Sequence, residues 1–182
     1  KIPFSGGTYQ HRFYLADVDL PGTTDEETIR IFTKQEGLAG CFPMQGEKMR
    51  FIGMLPRTLE ERTDLQFSDI KPYLTYTTGI PVSEKLCSWF ATYQLHHLIA
   101  DKFRVQRCFL IGDAAHVHSP VGGQGMNTGL QDAYNLAWKL SGVIKKDFKE
   151  KLMDSFGAER IPVATSLLKT TDRLFSTVVG QS

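Results

Sequence analysis

Cys108–Leu140 reads CFLIGDAAHVHSPVGGQGMNTGLQDAYNLAWKL, and the way this stretch is parsed decides the fold. Arg107–Ile111 is a short apolar run consistent with a buried strand. Gly112 to Gly129 then holds no regular pattern until Asn127 or Thr128, where a helix is predicted to begin and run to Ile144. Leu130, Ala133, Tyr134, Leu136, Ala137, Trp138, Leu140, Val143 and Ile144 cover more than one face of that helix, which predicts that it is largely buried, with Tyr134 and Trp138 in the core. Between strand and helix lie an acid, two histidines, a proline and a glycine cluster. A carboxylate at Asp113 can accept hydrogen bonds from ligand hydroxyls such as those of a ribose or ribityl chain. Gly122, Gly123, Gly125 and Gly129 let the backbone approach a flat or bulky ligand. The helix start offers free N–H groups and a positive dipole end to an anionic group. Pro120 stiffens the loop. Gly123-Gln124-Gly125 with Gly129 is not a dinucleotide turn, because such a turn opens immediately after its strand, and some ten residues intervene here.

Outward from this stretch, the first third of the chain reads as strands. Thr8–Leu15, Ile29–Thr33, Leu38–Pro43 and Lys48–Leu55 are aromatic and apolar runs, with a tight hairpin expected at Gly46-Glu47. Arg57–Gln66 is charged and reads as loop. Ser68 or Asp69 caps a helix running to about Thr78, and Pro72 near its start is tolerable. Glu84–Tyr93 alternates as a strand, and Leu95–Phe103 reads as a helical turn. Past Ile144, Lys149–Arg160 is an amphipathic helix that stops or kinks at Ile161-Pro162, and Val163–Val179 is another. The fold class that follows is α+β: a mixed, mainly antiparallel sheet, then a buried strand and a helical region. Residues 1–93 form one portion and 94–182 the other.

With 182 residues, 41% hydrophobic and 23% charged, the chain can bury a sizeable core. A formal net charge of +1 gives no reason to expect nucleic acid or an anionic membrane surface as partner. No apolar run is long enough for a transmembrane helix. Cys41, Cys87 and Cys108 show no C-x-x-C or zinc spacing and suit reduced thiols in a cytoplasmic protein. The chain opens on Lys1 and is expected to be a piece of a longer protein.

The chain resembles the flavoprotein aromatic hydroxylases, the class A FAD monooxygenases of the para-hydroxybenzoate hydroxylase and phenol hydroxylase type. The residues that carry the likeness are Gly112-Asp113-Ala114-Ala115-His116, Pro120, Gly122-Gly123-Gln124-Gly125-Met126-Asn127, Gln131-Asp132-Ala133, Asn135-Leu136 and Trp138-Lys139-Leu140. Glu159-Arg160 with Pro162 looks like the family's E-R-x-P segment, and Phe13–Val18 looks like a strand of its substrate domain. The resemblance implies a para-hydroxybenzoate hydroxylase-like fold, with 1–93 in the substrate domain and 94–182 in the returning part of the FAD domain. It implies FAD as cofactor, NAD(P)H and O2 as co-substrates, and an aromatic or polyketide-like small molecule hydroxylated through a flavin C4a-hydroperoxide. Residue by residue, it places Asp113 of the Gly112-Asp113 motif at the ribityl chain, Pro120 beside the flavin ring, and Gly125, Met126 and Asn127 at the ring's pyrimidine end, with Gly112, Gly122 and Gly123 also counted among the cofactor-binding residues. Reduced flavin is anionic there, which suits a helix N-terminus. Ser119 stands where many relatives carry a second proline. The family's N-terminal G-x-G-x-x-G turn has no counterpart, so the chain is expected to be a C-terminal fragment that holds FAD weakly by itself.

Other readings stay open. The parent could be a related flavoenzyme that does not hydroxylate, or this piece could be inert. Asp113, His116 and His118 could form a metal cluster, although no further ligand has recognisable spacing. His116 reads better as a structural residue bonding the loop backbone. Asp132 reads equally as a dipole complement or a ligand contact.

Overall fold

The computed structural model describes residues 1–22, 27–34, 37–120 and 122–179. Tyr9–Leu95 forms the body of one compact unit, and Lys1–Thr8 with His96–Thr177 forms the other. The first eight residues belong to the later unit. They are tied there by the Asp101 N–H, which donates to the Pro3 carbonyl at 3.1 Å, and by the Ser5 hydroxyl, which donates to Asp101 at 3.0 Å.

The first unit is an antiparallel sheet with one α-helix on it. Its strands are β1 (Phe4–Asp19), β2 (Arg30–Lys34), β3 (Gly37–Pro43), β4 (Lys48–Met54) and β5 (Cys87–Ala100), and β1 and β5 both extend into the other unit. Their order is β2-β3-β4-β1-β5. The expected hairpin joins β3 to β4, with Gly46 at a φ of 75° that an L side chain rarely adopts. Alternation then sorts the side chains. Tyr14, Ala16 and Val18 of β1, Ala39 and Cys41 of β3, and Met49 and Phe51 of β4 are buried in one cluster. Helix α1 (Phe67–Thr78) covers that face with Phe67, Ile70 and Leu74, spaced three and four apart as a helical stripe requires. The helix starts one residue before the expected cap: Gln66 is the N-cap, and its N–H donates to the Asp69 carboxylate at 2.9 Å. Gly79 ends it in the left-handed conformation.

The other face of this sheet carries Phe13 and Asp17, both buried, and Leu15, Arg50, Ile52 and Met54, which are half-buried. Register places Asp17 opposite Arg50, Leu15 opposite Ile52 and Phe13 opposite Met54. Arg50 grips Asp17 with two hydrogen bonds of 2.8 and 2.9 Å and lies 5.8 Å from the Trp89 ring centroid. The Arg50 hydrogen bonds hold the Asp17 carboxyl below the usual carboxylate range, against the opposing effect of burial.

In the second unit β5 continues to Ala100, so Leu95–Ala100 is strand where a helical turn was expected over Leu95–Phe103. The reason is non-local. β8 (His116–Val117) pairs with Leu98 and Ile99, and the Ala100 N–H donates to the Ala115 carbonyl at 2.8 Å. The buried strand expected at Arg107–Ile111 reduces to β7 (Cys108–Phe109), paired with β6 (Arg104–Val105) in a two-stranded ribbon. Cys108 is exposed rather than buried, and so is Ile111. The core here is Ala100, Phe103, Ala115, Phe156 and Ala164.

Two helices complete the unit. α2 (Gly125–Ile144) starts two residues before the expected point. α3 (Asp154–Val179) runs unbroken through Pro162, after a short 3-10 turn at Glu150–Met153. Pro162 removes one backbone donor but does not stop the helix, whose next turn adds a Thr165 hydroxyl bond to the Ile161 carbonyl at 2.8 Å. α2 is also not the buried helix its composition suggests. Met126, Leu130, Tyr134 and Trp138, one every fourth residue, are exposed, whereas its buried residues are Thr128, Asp132, Lys139 and Gly142. Polar contacts to α3 and to the preceding loop select the inward face. Among the described residues, no helix is long and apolar enough to cross a membrane.

Gly53 pairs with Tyr14 across β4 and β1, and a Cβ at Gly53 would lie 2.3 Å from the Tyr14 ring. The ring is fixed in the core and cannot yield cheaply. Gly53→Ala is therefore expected to destabilise the protein by about 1–3 kcal/mol, as overpacking does. Urea denaturation followed by tryptophan fluorescence checks this, and an unchanged midpoint would show that the ring moves freely.

Candidate functional site

The segment from Gly112 to Gly129 folds as a turn, a short strand, a glycine loop and a helix start. Gly112, Asp113 and Ala114 form a 3-10 turn entered at a φ of 55° at Gly112. The turn lies against α2: a Cβ at Gly129 would be 3.3 Å from the Gly112 Cα. Two glycines facing each other thus bring the Gly112–Ala114 turn against the first turns of the helix. Asp113 is exposed at that turn.

The loop ahead of the helix is a tight turn. The Gly123 N–H donates to the Pro120 carbonyl at 2.9 Å, and Gly122 and Gly123 both take positive φ, 89° and 63°. Gln124 is the N-cap, with no side-chain bond to the helix, and the Thr128 N–H is bonded back to its carbonyl at 3.0 Å. The N–H groups of Gly125, Met126 and Asn127 precede that first intrahelical bond. Pro120, Gly122, Gly123, Met126 and Asn127 are exposed and Gly125 is half-buried. All eight residues expected to contact a cofactor therefore lie in this one unit, on the turn, the loop and the first turn of α2.

Beneath this surface sits a buried ionic cluster that was not foreseen. Asp132, fully buried, accepts from the Gly112 N–H at 3.1 Å and from His116 Nε2 at 2.7 Å through one oxygen. Its other oxygen accepts from Arg160 Nε at 2.6 Å. Asp132 is thus neither a mere dipole complement nor an exposed ligand group. His116 bonds this carboxylate rather than the loop backbone, and because an ionised carboxylate only accepts, Nε2 carries the proton. Burial pushes the Asp132 carboxyl up, but the bonds from His116, Arg160 and Gly112 outweigh it and hold it below the ordinary range. The signal available beforehand was that Asp132 and Arg160 each sit in a motif that the resemblance singled out.

A second pair fastens α2 to α3. Lys139, fully buried, places Nζ 2.7 Å from Glu159, which also accepts from the Asn135 amide at 2.8 Å. His118, the other loop histidine, donates Nδ1–H to the Ser119 carbonyl at 2.7 Å. Tyr134 and Trp138 lie outside the core, where Leu130, Gln131, Tyr134, Asn135, Trp138 and Arg160 line a shallow groove. No cluster of three or more His, Cys, Asp or Glu able to hold a metal occurs among the described residues.

The family described as FAD binding domain matches residues 6–171, and the chain belongs to it. Among curated relatives, 6-methylpretetramide 4-monooxygenase of Streptomyces rimosus is 50% identical over 93 residues, 51% of this chain and 17% of the relative. The FAD-dependent monooxygenase ankC of Aspergillus thermomutatus is 45% identical over 168 residues, 87% of this chain and 29% of the relative. Among solved structures, CabE, an aromatic hydroxylase from angucycline biosynthesis, superposes with a TM-score of 0.76 at 28% identity, covering 94% of this chain and 35% of that one. The likeness to the flavoprotein aromatic hydroxylases thus holds in sequence and in fold, and this chain spans less than a third of either curated relative.

The bonds from Lys139 and Asn135 lower the Glu159 pKa from 4.5 to about 2. A folded-state value below the unfolded one contributes stability that is complete above pH 4.5 and is lost as pH falls towards 2. Glu159→Gln is expected to flatten that part of the acid limb in a melting-temperature series by circular dichroism. An acid limb identical to wild type would show that the pair contributes nothing, as exposed pairs often do.

Proposed function

We propose that the whole protein carrying this chain is an FAD-dependent, NAD(P)H-using monooxygenase that hydroxylates an aromatic or polyketide-like small molecule, acting in the cytoplasm. The observation that carries this is the seating of the Gly112-Asp113 turn against the start of α2 through the Gly112–Gly129 contact. It joins an exposed carboxylate to a helix N-terminus, a donor and acceptor set suited to a polyol chain ending in a ring that becomes anionic. The names of the relatives support the substrate class, since one is a 6-methylpretetramide 4-monooxygenase and another an aromatic hydroxylase from angucycline biosynthesis.

In this reading the unit of His96–Thr177 belongs to the FAD domain and the unit of Tyr9–Leu95 to the substrate domain. Gly112 and Asp113 hold the ribityl chain, with the Asp113 carboxylate accepting from its hydroxyls. Pro120 lies beside the ring, and Gly122 and Gly123 let the loop backbone come close to it. The N–H groups of Gly125, Met126 and Asn127 face the ring's pyrimidine end and stabilise negative charge there. The face of the first unit's sheet away from α1, with half-buried Leu15, Phe42, Ile52 and Met54 around the Asp17–Arg50 pair, offers an apolar wall for a planar substrate. Bound FAD would supply the electron transfer from NAD(P)H to oxygen and the delivery of one oxygen atom to the substrate. The chain's own residues bind, orient and exclude water, so no acid–base dyad is required.

The direct test is the whole protein incubated with FAD, NADPH, O2 and a panel of aromatic polyketides. A product heavier by one oxygen atom, formed at the expense of NADPH, is expected. NADPH oxidation that yields only peroxide with every substrate, or dehydrogenated products, would replace hydroxylation with another flavoenzyme chemistry.

Two substitutions test the cofactor contacts. Asp113→Ala removes a charged acceptor from an exposed turn, so it is expected to weaken FAD binding roughly tenfold to a hundredfold while sparing the fold. Fluorescence titration with FAD measures this, and equal affinity in variant and wild type would remove Asp113 from the site. At Gly125 a Cβ would meet only the His118 ring, at an ordinary 3.6 Å, so Gly125→Val is expected to fold. Its branched side chain would hold the ring off the helix N-terminus, lowering flavin retention and shifting the potential of any flavin retained. Retained flavin of normal potential would argue against contact there.

A further inference from the structure

We infer that Asp132, held by Arg160, is a positioning residue for the flavin site: it fixes the Gly112-Asp113 turn against α2 through the Gly112 N–H. This rests on the flavin reading above and deepens it, since Asp132 is fully buried and its carboxylate bonds only Gly112, His116 and Arg160. Gly112 takes a φ of 55°, a conformation with little intrinsic preference to persist, and the Asp132 oxygen 3.1 Å from its N–H fixes that peptide. The residue after Gly112 is the exposed Asp113, so the direction of that carboxylate follows from how the peptide before it is held. The same oxygen receives His116 Nε2, which anchors the far side of the turn in β8. Arg160 neutralises the carboxylate from α3 and keeps it ionised in a fully buried place, where an uncompensated charge would not survive. One carboxylate thus links the turn, the strand and both helices. A purely structural clamp between α2 and α3 already exists in Lys139–Glu159, which touches neither the turn nor the loop.

That second clamp makes the test discriminating. In the whole protein, Asp132→Asn, Arg160→Lys and Glu159→Gln are compared by FAD dissociation constant, by the visible spectrum of bound flavin and by melting temperature. Asp132→Asn and Arg160→Lys are expected to raise the FAD dissociation constant at least about tenfold and to alter the flavin bands. Glu159→Gln is expected to leave affinity within about twofold at a temperature chosen for equal loss of stability. Arg160→Lys keeps the charge, so it reads the same contact should Asp132→Asn not fold. Unchanged affinity in the Asp132 and Arg160 variants, or an equal loss in Glu159→Gln, would overturn the proposal and reduce Asp132 to general scaffolding. Failure of the underlying reading has a different signature: wild-type protein that takes up no FAD, which removes both.

Discussion

The second unit is organised around one buried carboxylate. Asp132 receives three donors that arrive from the Gly112 turn, from β8 and from α3. Removing any one of these would leave a polar group buried without its partner, which costs more than the bond itself contributes. The arrangement also explains why α2 turns its polar side inward. With Asp132 and Lys139 both engaged by α3, the apolar stripe from Met126 to Trp138 has to face away from that contact. Hydrophobic residues usually choose the buried face of a helix; here two ionic contacts do.

The first unit follows the opposite logic. Its sheet is specified by alternation and by the turn at Gly46, and its helix lies where the apolar side chains of three strands converge. On the sheet face away from α1 a charged pair appears, where Arg50 bridges to Asp17 and approaches Trp89, and further pairs such as Arg62–Asp69 and Lys71–Glu84 lie at the unit's surface. One unit is held by burial with charge kept at its margin, the other by charge placed at its centre.

These two kinds of organisation account for what could be read from the sequence. The strands around Leu15, Thr33, Leu38–Pro43 and Lys48–Leu55, the hairpin and the helix ending at Thr78 are all legible, because alternation, turn chemistry and apolar spacing are local. The glycine loop and the start of α2 are legible for the same reason. The stretch Leu95–Phe103 is not. Leu95-His96-His97-Leu98 does not alternate, and its extended conformation is fixed by β8, which lies well downstream. The orientation of α2 was equally hidden, since the partners of Asp132 are 20, 16 and 28 residues away. Pro162 misled because a proline interior to a helix normally ends it, whereas here both flanking segments pack on the same core through Phe156, Ile161 and Ala164. The candidate site's surface could thus be read in advance, and its foundation could not.

Lys139 gives the helix pair a chemical signature. Its ammonium group has no solvent exposure, so amine-directed reagents that acylate the other lysines cannot reach it while α2 and α3 stay together. Acylation at this one position would record moments when the two helices part, and its rate would be the reagent's intrinsic rate scaled down by the opening equilibrium. A residue that only fastens two helices therefore doubles as a built-in clock for their separation.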